Sequence, residues 1–460
     1  MTQQAAQVSQ LAQTGMTGRT VVVGLGRTGL SCARYLHARG LAFAVTDSRQ
    51  SPPEAKALHE LAPHAQVRVG GFDDALLEGA SQIVVSPGVS LKEPFLMAAA
   101  LRGIPIVGDI ELFAREAQAP IVAVTGTNGK STVTTLVALM AEASGKRVLA
   151  GGNLGRPALE LLEAPVPELY VLELSSFQLD TTRSLRSAVA TVLNVTPDHM
   201  DRYVTVHEYA TSKAHIYESC EAAIVNLDDV AVRTMSTGTA RVIGFSLIQD
   251  PAADFYAMHV LGAGLPDVVL MHGQERIVLM SELKIAGLHN AANALASLAM
   301  AEALGLPRAS CVKALKEFPG LPHRSQWVAD VAAVRYVDDS KGTNVGATLA
   351  AVAGMPGTLL VIAGGQGKGQ DFGPLSEAFR DKVRHVVLLG QDAAQIAEVL
   401  EGICTFEYAT DMDDAVRKAA AVARAGETVL LSPACASMDM FRDYGHRGDV
   451  FAAAVRGLKP

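Results

Sequence analysis

The chain is expected to be an α/β protein of three domains built on mostly parallel sheets. Short apolar runs alternate with helix-like segments from end to end, the pattern of parallel strands joined by helical crossovers. Two of these runs end in glycine-rich turns that open a helix. The length of 460 residues exceeds one ordinary core and, at about 150 residues per domain, suggests roughly three. Strand-like runs lie at 20–23, 83–86, 121–125, 169–173, 190–194, 223–226, 358–363, 385–389 and 428–432. Regions separate at 1–108, 109–320 and 321–460, the last hinge falling at Pro319-Gly320-Leu321-Pro322 after a helical stretch over 290–318.

The first region opens on Val21-Val22-Val23-Gly24-Leu25-Gly26-Arg27-Thr28-Gly29, followed by a helix-like run and Val45-Thr46-Asp47. A strand, a glycine turn and an acidic residue in that order form a dinucleotide fingerprint, because the glycines let the backbone approach a diphosphate at a helix N-terminus. Alone, the pattern fits NAD and equally fits any other nucleotide-linked ligand. The turn Ser86-Pro87-Gly88-Val89 follows another apolar strand, where open sheets place their ligand crevice, and reads equally as an ordinary connection.

The second region carries the sharpest signal, Val122-Ala123-Val124-Thr125-Gly126-Thr127-Asn128-Gly129-Lys130-Ser131-Thr132. A buried strand, a glycine turn and a helix start supply backbone N–H groups and a partial positive charge for phosphates. Lys130 and Ser131 can address a phosphate oxygen and a Mg2+ ion. Strict Walker spacing would put another glycine where Val124 stands, so this is a shortened phosphate loop for ATP or GTP.

Composition bounds the partners. A formal net charge of -8 argues against a general nucleic-acid or anionic-membrane surface. Five cysteines are scattered without metal-type spacing; the odd number makes a disulfide framework unexpected and points to a reducing compartment. The N-terminus lacks a basic segment followed by an apolar one, so a disordered lead-in of about 17 residues is expected rather than a secretion signal. The uncharged stretch 342–367 is interrupted by Gly354, Pro356 and Gly357 and suits a buried strand with loops better than a membrane span.

Further segments follow in order: Gly151-Gly152-Asn153-Leu154-Gly155; Leu172-Glu173-Leu174-Ser175-Ser176-Phe177-Gln178-Leu179; Asn194-Val195-Thr196-Pro197-Asp198-His199-Met200-Asp201-Arg202; Lys213; Gly287-Leu288-His289-Asn290-Ala291-Ala292-Asn293-Ala294; and Gly320-Leu321-Pro322-His323-Arg324. With the phosphate loop they resemble the Mur ligase family over nearly the whole chain. Asp339-Ser340-Lys341-Gly342-Thr343-Asn344 and Ser432-Pro433-Ala434-Cys435-Ala436-Ser437-Met438-Asp439 are similar to the branch that adds D-glutamate. The signatures of siblings adding L-alanine or a diamino acid are not seen.

The resemblance implies a Rossmann-like first domain binding UDP, a central ATPase-like domain with a phosphate loop, and a Rossmann-like third domain binding an amino acid. It implies cytoplasmic ATP-dependent amide ligation with UDP-N-acetylmuramoyl-L-alanine and D-glutamate as substrates, two Mg2+ ions and a monomeric enzyme. Gly126, Thr127, Asn128, Gly129, Lys130, Ser131 and Thr132 would hold ATP phosphates, Asn290 and Asn293 the adenine, Arg324 phosphates and Asp339 a nucleotide hydroxyl. Lys130, Glu173, His199 and Lys213 would be catalytic; Ser131 and Glu173 would meet the first metal, His199 and a CO2-carbamylated Lys213 the second. Arg27, Thr28, Asp47, Ser48, Arg49, Gly88 and Asn153 would take the UDP-sugar. Lys341, Thr343, Lys368, Ser437 and Tyr444 would take D-glutamate. Gln366, where an acidic residue is common, and Tyr444, where a phenylalanine is common, depart from the family pattern. Rival readings are a ligase for another amino acid, a folylpolyglutamate-type ligase and an NAD-dependent dehydrogenase.

The chemistry explains why such residues are needed. Joining a carboxylate to an amine in water needs activation by ATP as an acyl phosphate. At an effective dielectric of ~20, two anions about 4 Å apart repel by about 4 kcal/mol, which metals and lysines must offset.

Overall fold

The computed structural model describes residues 18–238, 240–262 and 265–458; the expected N-terminal lead-in lies outside them. Five parallel strands open the chain: β1 (Arg19–Val23), β2 (Phe43–Asp47), β3 (Gln66–Val69), β4 (Ala80–Val85) and β5 (Ile106–Val107), in the order β3-β2-β1-β4-β5. The order reverses between β1 and β4, and the crevice at their carboxyl ends is where such sheets bind ligands. Helix Arg27–Ala38 follows β1 through the glycine turn. A Cβ at Gly29 would stand 1.9 Å from the Gly24 carbonyl oxygen, so glycine alone permits helix and strand to pack this closely.

The second sheet has nine strands: β6 (Ile121–Thr125), β7 (Val148–Gly152), β8 (Leu169–Glu173), β9 (Val189–Val192), β10 (Ala222–Asn226), β11 (Arg241–Ser246), β12 (Phe255–Gly262), β13 (Leu265–His272) and β14 (Glu275–Leu279). Its order is β14-β13-β12-β11-β10-β9-β6-β8-β7, parallel through β12. The β12-β13-β14 edge is an antiparallel meander that the sequence reading did not anticipate. β6 is buried along its length, so it reads as a continuous apolar run.

The expected helical stretch 290–318 is two helices, Leu288–Ala303 and Arg308–Glu317. Gly305 at φ +66° and Pro307, the residue flanking the second helix, break it. The third sheet runs β15 (Gln326–Val331), β16 (Val334–Asp338), β17 (Leu359–Ala363), β18 (Val383–Leu388), β19 (Thr405–Tyr408) and β20 (Thr428–Leu431) in the order β15-β16-β20-β17-β18-β19. Only β15 is antiparallel within it. The uncharged stretch 342–367 holds helix Val345–Gly354 as well as strand β17. Asn344 caps that helix by accepting from the Ala347 amide at 2.8 Å. Among the described residues no helix is long and apolar enough to cross a membrane.

One apolar core runs continuously from the first sheet into the second. It joins Val22, Leu36 and Val84 to Ile110 and Phe113, and these to Tyr170, Leu172 and Val192. The cores of the third sheet draw only on residues 328–458.

Candidate functional site

Strand β6 delivers the chain into the phosphate loop, and helix Lys130–Ala143 carries it away. Gly126 and Gly129 adopt φ of 150° and 83°, and a Cβ at Gly129 would meet Asn293 Oδ1 at 2.4 Å. The loop is braced from the neighbouring strand end. Asn194 accepts from the Asn128 amide at 2.8 Å and donates to the Asn128 carbonyl at 3.1 Å, while Thr127 Oγ1 donates to the Thr196 carbonyl at 3.1 Å. Lys130 Nζ folds over the loop and donates to the carbonyls of Gly126 and Thr127, each at 2.8 Å. Burial holds its pKa below the ordinary lysine value, partly opposed by Glu173 and Asp198.

Glu173 ends β8, buried beside this loop. One carboxylate oxygen accepts from Asn153 Nδ2 at 2.6 Å; the other is buried without a partner. An orphaned carboxylate oxygen is costly unless a cation or donor meets it, so it fits a hard cation. Among the described residues no three His, Cys, Asp or Glu side chains cluster as a complete metal cage. Mg2+ takes one or two carboxylates and fills its octahedron with phosphates and water.

The turn after β9 holds His199 at φ 57°. Its amide donates to Asp198 Oδ1 at 2.9 Å, and its ring meets Phe177 edge-on at 4.9 Å. Burial, reinforced by Lys368 and Lys130 against the pull of Asp198, lowers its pKa to about 4. The imidazole is therefore neutral at physiological pH and keeps a lone pair for a metal. Lys213, on helix Val206–Ala214, is buried. Its Nζ has the Gly126 carbonyl at 2.9 Å and the Tyr209 ring at 4.3 Å. Desolvation first, then Lys130, hold its pKa well below the ordinary value, so the neutral amine is accessible.

Third-domain residues close on this loop. Arg324 Nη2 donates to Ser131 Oγ at 2.8 Å. Asn344 pairs with Asn128 at 3.2 Å, and Asn344 and Lys368 donate to Asp198 at 3.3 and 3.2 Å. A cavity of about 150 Å³ at this seam is lined by Asn128, Gly129, Thr132, Asn290, Asn293, Arg324, Asp339 and Lys341 among others. Asn290 and Asn293 share it, yet they also bond locally: Asn290 donates to the Ala286 carbonyl at 2.8 Å and accepts from Asn293 at 3.3 Å. Asp339 accepts from Ser325 and Ser432, and burial raises its pKa to about 7. Lys341 Nζ lies 3.9 Å from the centre of the Tyr444 ring; burial, then Arg324 and Lys130, lower its pKa to about 7. Tyr444 also accepts from Ser340 Oγ through its backbone carbonyl at 2.7 Å. Its contacts are thus ring face and backbone, which a phenylalanine would share. Lys341 lines this seam cavity, whereas Thr343, Lys368 and Ser437 line neither it nor the larger cavity between the first and middle domains.

The second cavity, about 630 Å³, lies between the first and middle domains. It gathers Arg27, Thr28, Asp47, Ser48, Arg49, Gly88 and Asn153, together with Gln178. Asp47 is already engaged: Arg49 binds it through its amide and guanidinium, and the Leu25 amide donates to it at 2.6 Å. The Arg49 hydrogen bond chiefly holds its pKa at about 2. Arg27 Nη2 reaches across to the Gly155 carbonyl at 2.9 Å. Asp198, Asn194, Arg202 and Gln178 stand in segments the sequence singled out, yet their bridging roles went unread. Their partners lie far away in the chain.

Three family models match in succession: Mur ligase MurD-like, N-terminal domain, over residues 18–108; Mur ligase middle domain over 124–301; and Mur ligase, glutamate ligase domain, over 323–435. The chain is 52% identical over 448 residues to the UDP-N-acetylmuramoylalanine--D-glutamate ligase of Nitrosococcus oceani, covering 97% of this chain and 98% of that one. It is 49% identical over 442 residues to the enzyme of the same name from Pseudomonas aeruginosa, covering 95% and 98%. Among solved structures it is similar to a pseudomurein peptide ligase type C from Methanothermus fervidus, with a TM-score of 0.62, 17% identity and coverage of 96% and 100%. It is also similar to the UDP-N-acetylmuramate-alanine ligase of Thermotoga maritima, with a TM-score of 0.60, 18% identity and coverage of 96% and 100%.

Proposed function

The chain belongs to the Mur ligase family, and from that premise we propose that it joins D-glutamate to UDP-N-acetylmuramoyl-L-alanine at the expense of ATP in peptidoglycan precursor synthesis. The observation that carries this reading is the near full-length similarity to ligases of that specificity. The same reading makes it a cytoplasmic monomer.

The UDP-sugar occupies the larger cavity, with its diphosphate at the glycine turn before helix Arg27–Ala38. ATP lies at the seam cavity, its phosphates on the loop Gly126–Thr132 and its base toward Asn290 and Asn293. In the first step the acceptor carboxylate oxygen attacks the γ-phosphorus, ADP leaves and an acyl phosphate forms. In the second the D-glutamate amine attacks the acyl carbon, loses a proton and expels phosphate. Lys130 and Arg324 offset the negative charge of the phosphoryl group in flight. Ser131 and Glu173 would hold one Mg2+, His199 and Lys213 a second; bound there, the ions supply positive charge against phosphate and carboxylate oxygens. For the second site Lys213 would act as a carbamate: its neutral amine adds CO2 and one proton leaves, so the neutral side chain becomes an anion. Lys341, Thr343, Lys368, Ser437 and Tyr444 serve D-glutamate on the third domain, whose seating on the middle domain keeps water from the acyl phosphate.

The test is phosphate release from ATP with Mg2+ and the UDP-sugar acceptor, with D-glutamate, L-glutamate, L-alanine and a diamino acid in parallel. Release that requires both the acceptor and D-glutamate is expected; release driven by another amino acid would move the chain to a sibling specificity.

A further inference from the structure

The turn Asp198 to Arg202 touches both flanking domains. At one end Asp198 accepts from Asn344 and Lys368 of the third domain at 3.3 and 3.2 Å. At the other, Arg202 Nη1 and Nη2 donate to the carbonyls of Gly88 and Val89 of the first domain at 3.2 and 3.0 Å. Those carbonyls belong to the loop that lines the larger cavity. The Arg202 guanidinium also lies 4.4 Å over the Phe177 ring, which meets the edge of His199 at 4.9 Å and stacks on Tyr203 at 5.7 Å. Within the turn the amides of Arg202 and Tyr203 donate to the His199 carbonyl at 2.9 and 3.1 Å, closing a tight loop around the left-handed His199. A short closed loop in a strained conformation transmits a shift at one end to the other instead of absorbing it.

We propose that Arg202 is a positioning residue that couples acceptor binding to seating of the third domain: it fixes the Gly88–Val89 loop on one side and sets Asp198 for Asn344 and Lys368 on the other. The inference rests on the ligase reading for the identity of the ligands. By linkage, the acceptor and the third-domain ligand must then strengthen one another equally.

The experiment is calorimetric titration of the acceptor into full-length protein, alone and with D-glutamate plus a non-hydrolysable ATP analogue. Wild-type, Arg202→Met and Arg202→Lys proteins are compared. Wild-type protein should bind the acceptor about fivefold or more tightly when the other ligands are present. Arg202→Met should reduce that factor below about twofold and raise the KM for D-glutamate, whose proposed residues lie on the third domain; Arg202→Lys should restore part of both. Arg202 is partly exposed, so an unchanged melting temperature is expected to confirm that the Met variant folds. Loss of acceptor affinity with the coupling factor and the D-glutamate KM unchanged would make Arg202 a local clamp and overturn the coupling. Failure of wild-type protein to bind the acceptor would instead refute the ligase reading.

Discussion

The two seams of this molecule are built from different materials. Between the first and middle domains the apolar core is continuous, with Phe113 edge-on to Tyr170 at 5.0 Å and helix Asp109–Glu116 tied to both sides. On one side Tyr35 and Arg39 donate to Glu116 at 3.1 Å each; on the other, Glu111 accepts from the amides of Arg183 and Ser184 at 2.7 and 2.8 Å. Between the middle and third domains the fully buried members of each apolar cluster of the described residues stay on one side, and at the hinge the partly buried Leu321 packs against the middle-domain core. Arg324, Asn344 and Lys368 bridge that seam to Ser131, Asn128 and Asp198. An apolar seam makes one body of two sheets, whereas a polar seam can part into water at small cost and be drawn shut by charged ligands. The proposed chemistry sits at the polar seam.

Breaking the apolar seam should have the largest effect. Phe113→Ala deletes a fully buried ring and is expected to cost about 3–5 kcal/mol. Differential scanning calorimetry should show the first and middle domains melting earlier together while the third keeps its transition; a loss confined to one sheet would deny the shared core. Lys130→Ala removes a cation from the polar seam and should lower kcat by roughly 10²–10³-fold with little change in melting temperature. Near-normal turnover would remove the phosphate-loop assignment.

A third test sharpens what the apolar seam costs. Asp109 lies within it, buried, with Gln178 Nε2 at 3.1 Å, and burial raises its pKa from 3.8 to about 6. A carboxyl whose pKa is higher in the folded state contributes stability fully present below the unfolded value. That contribution is lost as pH rises through about 6, with a plateau loss of roughly 3 kcal/mol. Asp109→Asn should therefore gain stability over wild type at pH 8 and progressively less toward pH 4, read from denaturant melts. A constant difference across that range would mean the carboxyl is not held neutral by burial. The smallest effect is expected from Lys92→Ala. The Lys92–Glu208 pair crosses the same seam at 3.9 Å but is exposed, so its loss should change stability by less than about 1 kcal/mol. A larger loss by thermal melt would show that surface charge, not the core, joins these domains.

What was legible in the sequence was local in the chain. The phosphate loop and the turn around Arg27 and Thr28 each form within a dozen residues of a buried strand, so residue type and spacing carry them. Strand β13 and its neighbours were missed although Val268-Val269-Leu270-Met271 is a short apolar run, because they form an antiparallel meander joined by short turns and not the strand–helix alternation of the parallel sheet. Asp198 and Arg202 could be seen as a motif but not as bridges. Lys368 is 170 residues from Asp198, and Gly88 is 114 from Arg202, so only the folded chain brings them together. Asp47 illustrates the converse: its type and position were readable, but not that Arg49 and the Leu25 amide already occupy its oxygens.

The contrast between the seams is tested most directly by hydrogen exchange of the full chain, alone and with a non-hydrolysable ATP analogue, acceptor and D-glutamate. Added protection should concentrate at the middle–third seam, in the turn 198–202 and around Asn344, while helix Asp109–Glu116 exchanges equally slowly in both states. Ligand-induced protection of that helix, with none around Asn344, would contradict the account and place the moving joint between the first two domains.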